Sequence, residues 1–243
     1  MNNVKPDTEE HYYRTTGSVA ILVDGGFFLK RLKYLTKKNV EITPDYATKM
    51  VKILAIEHAK RLQQYLHRIF FYDCPPFENG LHNPLTKKFI KMKDSELYKF
   101  KMEFFSKLKA MRKVALRLGR LDINSDSTWE LLPKIQKELL SNKKEIKDLD
   151  PEKDIHPNLT QKQVDMKIGI DIASMTLKRQ INTIVLVAGD GDFVPASKFA
   201  RREGIDFILD SMWAKINPDL NEHIDGLMSV LFQKKKLCKA SDN

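Results

Sequence analysis

The chain has 243 residues, of which 42% are hydrophobic, so its length and composition suffice for one domain with a substantial core. Its 42 Lys and Arg exceed its 32 Asp and Glu, and the net charge of +10 indicates an anionic partner, with nucleic acid favoured over a membrane. No membrane span, signal-peptide core or zinc-ligand spacing is recognisable, and the two cysteines lie far apart, so we expect a cytoplasmic protein without a disulfide framework.

The first predicted unit is a strand, a tight turn and a helix. The apolar run 18–23 predicts a buried strand that ends in Asp24. Gly25 and Gly26 form the turn, and residues 27–32 continue with helical spacing. Neither the GxGxxG nor the P-loop pattern occurs in the chain, so this turn is not a nucleotide-binding fingerprint.

A long helix and a second strand come next. Pro44 suits a first helical turn and apolar residues recur along one face, which predicts a helix over 44–66. It leads to a strand over 68–72 that ends in Asp73. A strand–helix–strand crossover of this length is typical of a right-handed parallel unit.

Residues 74–159 interrupt this alternation and are predicted to form a basic helical insertion. Residues 87–120 contain twelve Lys and Arg against three acidic residues, a charge run that marks either a phosphate-binding surface or a solvated helix face. A helix is predicted here from an apolar stripe: Leu97, Phe100, Phe104, Leu108 and Met111. We further predict a strand over 113–121, a short helix over 129–140 and a charged loop over 141–159.

Regular structure resumes at residues 160–163, a candidate capping box for a helix with an apolar face. This helix carries two carboxylates, Asp165 and Asp171, which lie about 120° apart on an ideal helix. They are therefore not expected to serve one site, and Asp165, in the first turns, is the better candidate; it is equally typical of a favourable charge at a helix amino end.

The last predicted elements are a strand over 184–188, a helix over 195–203 that stops at Gly204, a strand over 205–209 and an amphipathic helix over 220–232.

The apolar run 184–188 leads directly into Gly189, Asp190, Gly191 and Asp192. Two readings are open. Asp and Gly are common turn and cap residues after a strand. In an open parallel sheet, however, residues just beyond the carboxyl ends of the strands face the ligand crevice.

Four predicted strands each end in or just before an aspartate: Asp24, Asp73, Asp190 and Asp210. Several carboxylates on one edge of a sheet require a compensating cation, and hard oxygen ligands select Mg²⁺ or Mn²⁺. Asp73 and Asp210 are better explained as turn or cap residues.

The pattern resembles the NYN domains of the LabA-like group, which belong to the PIN-like nuclease superfamily. The matching pieces are 19–25, 162–165 leading to Asp171, and 187–193 with its GDGDF core. Residues 220–227 resemble the closing helix of that family, and 104–121 are a weaker match. Many relatives carry Asn shortly after the first Asp, whereas this chain has Gly26, Phe27 and Phe28.

The resemblance implies a Rossmann-like three-layer α/β sandwich with a mainly parallel central sheet. It also implies that Asp24, Asp165, Asp190 and Asp192 are catalytic and hold one or two Mg²⁺ or Mn²⁺ ions for phosphodiester hydrolysis. We therefore expect a metal-dependent nuclease, an endoribonuclease acting on single-stranded or structured RNA rather than DNA. The expected phosphate contacts are Lys87, Lys88, Lys91, Lys93 and Lys162. Phe89 and Tyr98 are candidates for base stacking, although helical spacing is more typical of core residues.

Two other functions remain open. The departure at Gly26 and Phe27 suits a nucleic-acid-binding or scaffolding module that keeps the acidic fold without cutting. A phosphatase of the acid-cluster type requires a DxDxT or DxDxV setting, of which 190–194 is an imperfect copy. The expected organisation is a polar arm over 1–17, one domain over 18–232 and a basic tail over 233–243; a homo-oligomer is compatible with it.

Overall fold

The computed structural model describes residues 17–125 and 127–232. The described strands are β1 Ser18–Asp24, β2 Tyr65–Asp73, β3 Gly80–His82, β4 Phe89–Lys91, β5 Val114–Leu118, β6 Arg120–Ile123, β7 Trp129–Leu131, β8 Ile155–Pro157, β9 Leu159–Lys162, β10 Thr183–Val187, β11 Asp206–Asp210 and β12 Gly226–Leu227. The described α-helices are α1 Gly25–Leu35, α2 Pro44–Arg61, α3 Glu96–Ala110, α4 Pro133–Leu140, α5 Val164–Leu177, α6 Val194–Arg202 and α7 Pro218–Asn221.

Six strands form a central sheet in the order β12-β11-β10-β1-β2-β5, and every pair in it is parallel. From β1 the chain continues outward through β2 and β5, and from β10 it continues outward in the opposite direction through β11 and β12. The strand order therefore reverses between β1 and β10, which places a ligand crevice beyond the carboxyl ends of these two strands. The predicted α/β fold with a mainly parallel sheet is confirmed.

Alternate residues of β1 enter two different hydrophobic cores. Val19, Ile21 and Val23 pack with α1, α2 and α3 on one face, whereas Ala20 and Leu22 pack with α5 and α6 on the other. A strand that is buried on both faces must be apolar throughout, as the run 18–23 is. The molecule is therefore a three-layer sandwich.

Part of the predicted insertion belongs to this sandwich. Helix α3 packs on α2, and β5 pairs with β2 at the edge of the sheet. What lies outside the layers is three short antiparallel ladders, β3–β4, β6–β9 and β7–β8, together with α4. The segment is thus less helical than predicted.

Local predictions failed where the backbone of a segment pairs with a strand from elsewhere in the chain. The helix over 44–66 ends at Arg61 because Tyr65 already pairs with Ser18. Residues 129–131, predicted helical, pair with β8, which arises from the predicted loop 141–159. The capping box over 160–163 is absent, because 160–162 pair with β6 and Gln163 adopts φ 74° without a side-chain cap.

The prediction of a last helix over 220–232 is also wrong. Only the turn of α7 forms, and Gly226 and Leu227 then pair with Ile208 and Leu209 at the edge of the sheet. In the described residues no helix is long and apolar enough to cross a membrane. The predicted basic tail, 233–243, and all but the last residue of the predicted arm lie outside the described residues.

Candidate active site

The four aspartates predicted as metal ligands lie at the carboxyl edge of the sheet. Asp24 is the last residue of β1, and its neighbour Val23 pairs with Val187, the last residue of β10. Asp190 and Asp192 follow β10 in the connection to α6. Helix α5 packs on the same core, and its first turn holds Asp165. The fold therefore brings together residues from three separate parts of the sequence.

Two of these aspartates form caps and still have a carboxylate oxygen available for a ligand. Asp24 caps α1 by accepting a hydrogen bond from the Phe27 amide at Oδ1, at 3.1 Å. Asp190 accepts one from the Asp192 amide at Oδ1, also at 3.1 Å. Both caps bond Oδ1, so the hydrogen bonds from the Phe27 and Asp192 amides leave the second oxygen of each carboxylate unused. The turns orient the carboxylates and leave them able to bind a ligand.

The electrostatics of the edge are those of a crowded acidic cluster. Burial is the main cause that raises the pKa of Asp24 from 3.8 to about 6, and the charges of Asp165 and Asp73 add to it. Hydrogen bonds from the amides of Phe27 and Gly26 act in the opposite direction. Burial, and then the charges of Asp190 and Asp192, also raise the pKa of Asp165. A cation at this edge would relieve the mutual repulsion.

The chemistry of the donors suits Mg²⁺ or Mn²⁺, because all four are carboxylates and both ions prefer hard oxygen ligands. Within residues 17–125 and 127–232, however, no group of three or more His, Cys, Asp or Glu side chains is arranged so that it could hold a metal ion. The four carboxylates are thus the right type of ligand for these ions. Their side chains would have to move closer together to form a coordination sphere.

A cavity of about 510 Å³ opens beside this edge and is lined by Asp24 and Asp190. Three polar residues in its wall, Lys30, Lys215 and Asn217, were not predicted. Lys30 lies on α1, six residues after the N-cap Asp24 and hence about 120° away on an ideal helix, so helical spacing does not mark it. Lys215 and Asn217 come from irregular chain after β11, and no sequence pattern marks them.

Close packing explains two glycines in the GDGDF core. A β-carbon at Gly189 would lie 2.5 Å from Cε2 of Phe27, and one at Gly191 would lie 2.6 Å from Nδ2 of Asn217. Both distances are shorter than real β-carbon contacts. The glycines therefore let the loop that carries Asp190 approach α1 and the wall of the cavity.

A further residue that was not predicted is Gln161 in β9. A β-carbon at Gly26 would lie 3.4 Å from Oδ1 of Asp24 and 3.7 Å from the Gln161 side-chain amide. This amide thus lies at the acidic edge beside Gly26, the position at which the sequence departs from the family pattern. The ladder β6–β9 holds it there.

The other strand-end aspartates are internal. Asp73 is fully buried and accepts hydrogen bonds at 2.7 Å from Lys101 Nζ and from the Cys74 amide. Asp210 is also fully buried, 2.8 Å from Nε2 of His58, and accepts a hydrogen bond from the Met212 amide. Both bond the chain that follows their strand, as the turn interpretation expects, and neither lines the cavity.

Asp171 does not join Asp165. Its carboxylate accepts hydrogen bonds from the Tyr72 hydroxyl at 2.8 Å and from Nε of Arg117 at 3.0 Å. These partners hold it on a different side of α5, as the predicted 120° separation requires.

The predicted phosphate-binding lysines divide into two groups. Lys93 pairs with Glu78 at 3.1 Å, and Lys162 pairs with Asp122 at 3.3 Å. The remaining three, Lys87, Lys88 and Lys91, are exposed on or beside the β3–β4 hairpin and have no ion-pair partner in the described part of the chain.

Comparison with protein families finds a match to the NYN domain model over residues 102–229, just over half of the chain. The chain belongs to the NYN domain family. Since NYN domains are part of the PIN-like nuclease superfamily, this membership supports a nuclease function in general terms.

A search of curated proteins found no significant match. Among solved structures, the protein is similar to a protein of unknown function from Vibrio parahaemolyticus, with a TM-score of 0.45 and 11% sequence identity. The alignment covers 89% of this chain and 94% of that one.

The NYN match includes Asp165, Asp190 and Asp192 but begins after Asp24. The place of Asp24 at the site therefore rests on the fold, in which β1 is the direct neighbour of β10. The match also includes β6 and β9, and with them Gln161.

Replacement of Asp24 by Asn is expected to stabilise this NYN domain at neutral pH by on the order of 2 kcal/mol. Asn keeps the cap of α1 but removes a charge from a buried, acidic position. Because the folded-state pKa is about 6 and that of an unperturbed aspartate is 3.8, the bound proton stabilises the fold below pH 3.8, and this contribution is lost as the pH rises through 6.

Urea unfolding of the wild type and of Asp24→Asn at about pH 4 and about pH 7 measures this effect. The two proteins should be equally stable at the lower pH and should differ at the higher pH. A variant that is less stable than the wild type at neutral pH would contradict the assignment of a repelled carboxylate.

Proposed function

We propose that this NYN domain is a metal-dependent endoribonuclease that cuts single-stranded or structured RNA. The observation that carries the proposal is the acidic edge beside an open cavity, where burial and neighbouring carboxylates raise the pKa of Asp24 and of Asp165. Perturbed acidic groups in a cleft are typical of functional sites. Family membership supplies the reaction class, and the chain's net positive charge suits a polyanionic substrate.

Asp24, Asp165, Asp190 and Asp192 would hold the ion, which we propose to be Mg²⁺ or Mn²⁺. When bound, such an ion lowers the pKa of a water that attacks phosphorus and stabilises the departing 3′ oxygen, which leaves a 5′-phosphate product. The chain's own contribution is positional: the caps on α1 and after β10 fix two carboxylates, and Lys30 and Lys215 offer positive charge to the phosphates from the cavity wall.

We further propose that the chain belongs to the LabA-like group of NYN domains and acts in the cytoplasm. The order and spacing of its motifs, from Asp24 through Asp165 to the GDGDF core, support the first point. The two cysteines, at positions 74 and 238, have no disulfide-framework spacing, which suits a reducing compartment and supports the second.

The proposal is tested by incubating the purified protein with end-labelled single-stranded RNA, duplex RNA and DNA of one sequence, with Mg²⁺, with Mn²⁺ or with EDTA. We expect cleavage of RNA that requires the metal and leaves 5′-phosphate ends. Cleavage that persists in EDTA would contradict the role of the carboxylates, and preferential cleavage of DNA would contradict the proposed substrate.

The second candidate function is a nucleic-acid-binding module that does not cut. It is favoured by Gly26 and Phe27, the positions at which the sequence departs from the pattern of the resembling family. It is also favoured by the acidic side chains, which in the described residues are not arranged around one ion. A protein of this kind would be stabilised thermally by RNA or by metal and would yield no product in the same assay.

A further inference from the structure

A second cavity, of about 360 Å³, lies beside the acidic edge and is unlike it in chemistry. Its walls are mainly flat and apolar, and its residues are Pro75, Pro76, Phe77, Glu78, Asn79, Tyr98, Met102, Arg120 and Leu121. A pocket of this size that combines aromatic walls with a few polar groups is typical of a small-ligand site.

The elements that form this cavity also place it next to the candidate active site. The loop after β2 supplies the prolines and Phe77, and β6 supplies Arg120 and Leu121. Leu121 pairs directly with Gln161, whose side-chain amide lies beside Gly26, the second residue after Asp24. The β6–β9 ladder therefore connects the wall of the cavity to the chain beside the acidic edge.

On its other side the cavity borders the basic hairpin. Glu78, in the cavity wall, pairs with Lys93, and the chain enters β3 just after Asn79. Lys87, Lys88 and Lys91 follow on or beside this hairpin, and they have no ion-pair partner in the described part of the chain. An apolar, aromatic pocket thus lies between an acidic edge suited to a metal-bound phosphate and a surface suited to further phosphates.

Two side chains of the pocket are well placed to stack on a planar ring. Tyr98 lies in the first turn of α3, where its amide donates to the Ser95 cap at 3.2 Å. Phe77 lines the same cavity from the loop after β2. Neither belongs to the two hydrophobic cores, so packing of the fold does not account for them.

We propose that this cavity is a base-binding subsite, which takes an unpaired nucleobase of the strand whose phosphate lies at the acidic edge. The proposal rests on the proposed function and adds the substrate class: a single strand, because a base stacked and paired in a duplex cannot enter the pocket. Aromatic side chains stack on any base, and Arg120, at the mouth, is held by Asp122 at 3.0 Å.

Binding in EDTA tests this without turnover. Fluorescence anisotropy with short labelled strands compares single-stranded RNA, single-stranded DNA, duplex RNA, and a sugar–phosphate strand of the same length that lacks bases. The variants are Tyr98→Ala and Phe77→Ala, with Tyr65→Ala as the matched control, since Tyr65 is 67% exposed at the opposite, amino end of β2.

The wild type should bind the single strand with bases more tightly than the duplex and the strand without bases. Tyr98→Ala should lose about tenfold in affinity for the strand with bases and nothing for the strand without them. Phe77→Ala should behave in the same way, and Tyr65→Ala should match the wild type. Equal losses on RNA and DNA would assign the contact to the base alone, and losses confined to RNA would add a contact to the ribose.

The proposal is overturned if both variants bind the base-bearing strand like the wild type, or if they lose equal affinity for the strand without bases. Its failure is distinct from failure of the nuclease. Metal-dependent cleavage with no base-dependent binding would refute only the subsite, whereas base-dependent binding with no cleavage under any metal would refute only the nuclease.

Discussion

Asp190→Asn is expected to lower the rate of metal-dependent RNA cleavage by on the order of 10³-fold, with little change in stability. Asn can accept the same hydrogen bond from the Asp192 amide that Asp190 accepts, so the turn after β10 should keep its shape. What the variant lacks is the negative charge next to Asp165. The loss should therefore appear in the chemical step and in metal affinity.

The matched control is Asp206→Asn, which removes a carboxylate at the start of β11, at the opposite edge of the sheet. Its cleavage rate should equal that of the wild type. Initial rates over a series of Mn²⁺ concentrations separate weaker metal binding from a slower bound state. Equal rates for the wild type and Asp190→Asn would remove the catalytic assignment of the acidic edge.

The sheet could be predicted because its strands are buried on both faces. Residues 19–23 and 184–187 are apolar throughout, and each run leads to an aspartate. Long amphipathic helices were found for a related reason, since α3 and α5 show one apolar face over several turns. In these elements the local pattern and the final environment agree.

The short ladders could not be predicted, since their stability comes from partners distant in sequence. Residues 129–131 alternate over three positions only, too few to indicate a strand, and their strand exists because 155–157 lie beside them. The same holds for 159–162, which local rules assign to a helix start. Gly226 and Leu227 become a strand only because β11 offers a free edge.

The candidate site shows the same division. Asp24, Asp190 and Asp192 could be grouped from the sequence, because parallel strands place their carboxyl ends on one edge. Gln161 could not be grouped with them, because the β6–β9 ladder, and not a local pattern, brings its side-chain amide next to Gly26 at the acidic edge. The aromatic pocket likewise joins a loop, a helix and a strand that no single pattern connects.

Lys101→Met is expected to lower the free energy of unfolding by about 3 to 5 kcal/mol, because it leaves the buried carboxylate of Asp73 without a cation. Lys101 Nζ lies 2.7 Å from Oδ1 of Asp73, and the two side chains are 12% and 0% exposed. The second oxygen of Asp73 is buried without a hydrogen-bond partner in the described residues, so the Cys74 amide would be left to stabilise the charge.

The double variant Lys101→Met, Asp73→Asn separates the cost of an isolated charge from the net contribution of the pair. Replacing both charged groups removes the uncompensated carboxylate, so the double variant should recover most of the stability that Lys101→Met loses. Urea unfolding at neutral pH measures both. Since a β-carbon at Gly25 would lie 3.0 Å from Cβ of Asp73, loosening of this pair would reach the first turn of α1 and the carboxylate of Asp24. A double variant as unstable as Lys101→Met would show instead that packing of the lysine side chain, in contact with the Phe105 ring, is what holds α3 on the sheet.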